Sequence, residues 1–154
     1  MVAAPEQMQA AHLEELDALL KNMDACARNI EQITEHERKA ARNFDAEGLM
    51  QLSELRGQSH QALMGMECQC RKLLAQYNVP EDIPLRVFID LFATHHAHEL
   101  QALRRTLYAR MMHINKVSEE SRIHLKAAFD VTIGVLQHIG AVEPKQTYGP
   151  GRSA

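Results

Sequence analysis

A chain of 154 residues, 45% hydrophobic and 24% charged, is sized and composed for one soluble domain. Its net charge of −3 gives no general pull toward nucleic acid or an anionic membrane. No apolar run is long enough to span a bilayer, the N-terminus lacks a signal peptide's basic start and apolar middle, and the three cysteines form no disulfide framework, so a cytoplasmic protein with reduced thiols is expected.

Aromatics make up 5% of the chain and Trp is absent, whereas Met occurs 8 times. A core built from Leu, Met, Ala and Ile favours packed helices over sheets, because β-branched and aromatic residues are sparse. Pro5 suits a first helical turn, and no Gly or Pro follows before Arg42. Leu13, Leu16, Leu20, Met23, Ala27 and Ile30 recur at three- and four-residue steps, which predicts a first helix over about 5–43. Asp17/Lys21, Asp24/Arg28 and Glu35/Lys39 are acid-before-base pairs four apart that support it.

The stretch Asn43 to Gly48 punctuates the chain, and Asp45 is a plausible N-cap for a second helix. Leu49, Leu52, Leu55, Leu63, Met66, Cys70, Leu73 and Tyr77 carry its stripe to about residue 77. Gly57 and Gly65 weaken that helix, unless they let a neighbour come close. Met50, Met64 and Met66 on this helix, and Met111 and Met112 on the next, read first as core filling. Asn78 to Pro84 contains two prolines and reads as a loop.

From Leu85 to Gly140 the apolar beat runs through Phe88, Phe92, Leu100, Leu103, Leu107, Met111 and Ile114. It resumes at Leu125, Phe129, Ile133, Leu136 and Ile139. A continuous helix here would be about 84 Å long and could not bury its stripe alone. Small polar residues at Ser118 and Ser121 interrupt it, which marks a break, a kink or a soft spot. Gly140 reads as the stop, and the residues after it are polar and rich in Gly and Pro.

The pattern therefore predicts an all-α fold. It is an elongated antiparallel bundle of three long helices, the third either continuous or broken near 115–121, with a flexible C-terminal tail. The domain takes in 1–143 and the tail 144–154, and the end of the third helix overhangs its partners.

Chemistry-bearing motifs are scarce. There is no nucleophile elbow, phosphate-cradling glycine loop or HExxH, and no enzyme is expected. Among nine histidines, His95, His98 and Glu99 form the best cluster, and a metal-binding bundle is the alternative reading. It lacks the Glu-x-x-His pairs of metal bundles, and partly exposed polar residues near a loop are the plainer account, so no metal or other cofactor is expected. Cys68-x-Cys70 has no partner pair for zinc, and Cys70 and Cys26 read as inert core thiols. Arg104, Arg105 and Arg110 lack the aromatic platforms of a nucleic-acid binder.

The tail Thr147-Tyr148-Gly149-Pro150-Gly151-Arg152, behind an amphipathic helix that stops near Gly140, resembles the end of FlgN-type flagellar export chaperones. The layout is similar too, with an acidic, Leu-rich first helix and Asn115 in the junction ahead of the last amphipathic segment. The resemblance implies a cytoplasmic type III export chaperone without catalysis. Its clients would be hook–filament junction (hook-associated) proteins, held by C-terminal amphipathic helices and delivered to the membrane export gate. It places client binding on Ile123, Phe129, Ile133, Leu136 and Ile139, and gate docking on Tyr148. From the residues alone, the same apolar face equally suits packing against the protein's own first two helices, and pairing of two copies through the overhang stays open.

Overall fold

In a computed structural model, residues 6–140 are described. Four α-helices follow one another: α1 (Ala10–Arg42), α2 (Ala46–Ala75), α3 (Leu85–Phe92) and α4 (Ala97–His138). The all-α bundle is as expected, but it has four helices rather than three. The residues expected to form the tail lie outside the described range.

Helix α1 is the spine, with α2 and α4 both packed along it. Contacts set the directions. Asn29 and Glu37 of α1 meet Ser59 and Arg56 of α2, so α2 runs antiparallel to α1. Asp24 and Thr34 lie beside Arg110 and Ser118, so α4 runs parallel to α1.

The main core lies at the end where α1 begins. Leu16, Leu20, Leu73, Phe88 and Ile89 are fully buried there, with Leu100 of α4 beside them. Tyr77 packs edge-on against Phe88, and Phe88 stacks on Phe92 with ring centroids 4.7 Å apart. A smaller cluster of Ala27, Ile30 and Ile114 continues the core toward the middle. Cys70 is buried among these apolar side chains, which pushes its thiol up to about 11 and keeps it inert.

The expected long element 85–140 is broken at Ala93–His96, not at 115–121. Helix α3 closes the end of the bundle with Phe88, Ile89 and Phe92, and the chain must turn before α4 can run along α1. Ala93 N–H donates to Ile89 C=O and His96 N–H to Ala93 C=O, while Thr94 donates to Gln7. Buried Gln101 ties α3 to α4 by donating to Arg86 C=O and Asp90. Helix α1 also starts later than expected, at Ala10, because Met8 N–H is taken by Phe92 C=O and Gln9 N–H by the Tyr77 hydroxyl.

The local punctuation follows the sequence closely. Asp45 caps α2 by accepting from Gly48 N–H at 2.9 Å. A Cβ at Gly48 would crowd that carboxylate, so a larger residue there would make the Asp45 side chain shift. Gly140, at φ +79°, takes the left-handed stop position after α4. Helix α1 ends in the same kind of motif, with Phe44 N–H donating to Ala41 C=O and Asp45 N–H to Ala40 C=O. Its left-handed position, usually glycine, holds Phe44 at φ +52°, a conformation that disfavours an L side chain by about 1–2 kcal/mol.

Other expectations change. Gly57 and Gly65 face open space rather than a close neighbour. Met50, Met64 and Met112 are exposed, while Met66 and Met111 pack at the core's edge. Of the predicted stripe only Cys70, Leu73 and Tyr77 are buried, with Leu74 beside them. Glu35 reaches Arg38 rather than Lys39, whereas Asp17–Lys21 and Asp24–Arg28 pair as expected.

An ion network ties α4 to α1 below the smaller cluster. Asp24, nearly buried, accepts from Arg110 Nε at 2.8 Å and from Arg28, and Arg110 also donates to Glu31. Burial alone would raise the Asp24 carboxyl, but the hydrogen bonds from Arg110 and Arg28 outweigh it and hold it below the usual carboxylate range. A carboxyl depressed on folding adds stability above its unfolded pKa, near pH ~4, and loses it as pH falls through the folded value. Asp24→Asn is therefore expected to lower unfolding free energy at pH 7 by roughly 1–3 kcal/mol and to flatten the fall in stability below pH ~4. Denaturant titrations across pH check both; an unchanged acid limb would remove Asp24 from the ledger of stabilising groups.

Candidate functional site

Where the core stops, a polar layer begins. Arg56 of α2 reaches between α1 and α4, donating from Nε to Glu37 at 2.8 Å and from one terminal nitrogen to Ser118 Oγ at 2.9 Å and to Thr34. Thr34 in turn donates to Ile30 C=O. One guanidinium thus joins three helices through partners that can satisfy its fork of donors. Ser118, which interrupts the apolar stripe in the sequence, is the α4 partner in this layer, and the helix runs unbroken through it. The "soft spot" is a cross-link rather than a kink.

Beyond Val117, α4 has no buried residue among those described. Its inward face continues with Leu125, Ala128 and Phe129, level with the corner between α1 and α2. There, Phe44, Ala46 and Leu49 face them across an open apolar groove of about 400 Å³. From Thr132 to Ile139 the helix runs on for about 10 Å.

The residues expected to bind a client fall as follows. Phe129 and Ile139 are exposed, and Ile133 and Leu136 are half-buried. At about 100° per residue these four share an arc of about 120°. Ile123, also exposed, lies about 80° further round, at the edge of that face. Val131 and Val135 add exposed apolar area on the other side. Four of the segment's charges pair among themselves, Glu119 with Arg122 and Lys126 with Asp130. Tyr148 lies outside the described residues.

Phe44, Leu49 and Leu125 were not singled out from the sequence as site residues. Leu49 and Leu125 lie on the apolar stripes of their helices, whereas Phe44 lies at a helix junction that reads as punctuation. The one available signal was an aromatic residue at a helix stop, where glycine is usual.

The metal alternative loses its geometry. His95 sits in the turn between α3 and α4, so it does not share a helix face with Glu99. Among the described residues no three His, Cys, Asp or Glu side chains group in a way that could hold a metal ion. Arg110 is committed to Asp24 and Glu31, and Arg104 donates to Gln101, so the three arginines do not form one free basic face. No helix among the described residues is long and apolar enough to cross a membrane.

A helical chain with an open apolar face can now be set against known families. A family model described as FlgN protein matches residues 8–154. The chain belongs to the FlgN family. FlgN proteins are flagellar export chaperones, which bind flagellar proteins. No curated protein and no solved structure matches the chain.

Arg56→Met keeps much of the side chain's bulk but leaves Glu37, Thr34 and Ser118 without their shared donor. The expected result is a loss of roughly 1–3 kcal/mol in denaturant unfolding, with helicity retained. Unchanged stability would show that the polar layer holds nothing together.

Proposed function

We propose that this FlgN family member is a cytoplasmic type III export chaperone for hook–filament junction (hook-associated) proteins, performing no reaction and needing no cofactor. The observation that carries the reading is the apolar face of α4 beyond Ser118. Phe129, Ile133, Leu136 and Ile139 lie on one side of a helix that outruns the bundle, and Ile123 extends the surface at its edge. An amphipathic helix from a client's C-terminus matches that face in shape and chemistry, because helix-in-groove recognition rests on apolar anchors at three- and four-residue spacing. The segment is already helical within Ala97–His138 in the free chain, which lowers the ordering cost of binding.

The bundle, 1–143, and the tail, 144–154, are proposed to divide the work. The first holds the client and the second carries Tyr148 to the export gate. A tyrosine suits that role because its ring supplies apolar area and its hydroxyl a hydrogen bond.

Replacing Phe129, Ile133 and Leu136 together with serine tests the client surface. Each large apolar side chain contributes about 1.5–3 kcal/mol when buried, so calorimetric titration with a junction protein should show affinity weakened by about 100-fold or more. The bundle's melting temperature should hold, because these residues lie beyond its core. Unchanged affinity would sink the proposed surface. Removing 144–154 should leave client affinity intact and reduce capture by the gate component; lost client affinity would show the two roles to be wrongly divided.

A further inference from the structure

Phe44 is held in a conformation that its free-state contacts do not repay. Its backbone occupies the left-handed position of the helix stop, at φ +52°, and its side chain is 69% exposed. Asn78, the other described non-glycine residue at positive φ, is a type that tolerates this region. Phenylalanine at such a position brings strain, and at this exposure it also leaves apolar area in water. A second state that covers the ring would remove the exposure and offset the strain.

We infer that Phe44 is a client-contacting residue, forming with Leu49 the second wall of the groove whose first wall is Leu125 and Phe129 of α4. This rests on the reading of α4 as the client surface. Phe129 belongs to both the groove and the overhanging face, so one bound helix would run from the corner along α4 without leaving apolar surface. Charge selects the occupant. No lining residue of the groove is charged, the nearby α4 charges pair with one another, and the Asp45 carboxylate caps α2. That lining fits the apolar side of an amphipathic helix. The cavity, about 400 Å³, has room for more than one branched aliphatic side chain of that helix.

The experiment uses the full chain, with a fluorescent peptide of a junction protein's C-terminal amphipathic segment as probe. Phe44→Gly is compared with wild type and with Ile133→Ser/Leu136→Ser. Anisotropy should show Phe44→Gly binding about tenfold more weakly, a loss typical of one buried aromatic anchor. Its melting temperature should hold or rise by about 2–4 °C, because glycine relieves the left-handed strain. Unchanged affinity in Phe44→Gly, alongside weakened binding in the serine double variant, overturns the role of Phe44 and leaves the α4 surface standing. Should Phe44→Gly instead lose a concentration-dependent dimer while keeping its affinity for the peptide, the groove belongs to a second copy and the inference also fails. A lowered melting temperature in Phe44→Gly would make Phe44 an ordinary packing residue, which overturns it as well. If the serine double variant binds as wild type does, the α4 surface itself is wrong.

Discussion

Helix α1 covers α4 only as far as α1 extends, and it stops at Arg42. Apolar side chains on α4 continue past that level, from Leu125 to Ile139, while α2 begins at the same corner and runs back the other way. This mismatch in length governs the rest. One end of the bundle is closed by α3 and its aromatic side chains, with Leu16, Leu20 and Phe88 sealed inside. At the other end, no residue of α4 beyond Val117 is buried among the described residues. A 42-residue helix spans about 63 Å, and its far end exposes Phe129, Val131, Val135 and Ile139.

The polar layer around Arg56 lies between these two regimes. A guanidinium shared by Glu37, Thr34 and Ser118 fixes the register of three helices at one level, since sliding any of them would leave donors or acceptors unpaired. Further down, Asp24 and Arg110 do the same for α1 and α4 alone. Together they hold α4 to α1 on either side of the smaller core cluster.

Much of this was legible in the sequence, where the chemistry is local. Asp45 as a cap, Gly140 as a stop and the proline loop after α2 follow from hydrogen bonds and torsions within a few residues. Periodicity showed which faces are apolar. It did not show which faces are covered, so Met50 and Met64 looked like core and are exposed. The turn at Ala93–His96 carries no glycine or proline, because it is imposed by α3 folding across the bundle's end. Phe44 carries no such local signal, because a helix stop is usually marked by glycine. The tail that pointed to FlgN-type chaperones did so through residue identity alone; the family match over 8–154 agrees with it, though Tyr148 itself is not among the described residues.

Hydrogen–deuterium exchange along α4, with and without a junction protein, tests the division most directly. In the free protein, amides of 97–117 should exchange slowly and those of 120–138 much faster; client binding should slow the second set by at least about tenfold and leave the first unchanged. Uniform protection along the whole of α4, indifferent to the client, would contradict an open far end that serves as the binding surface.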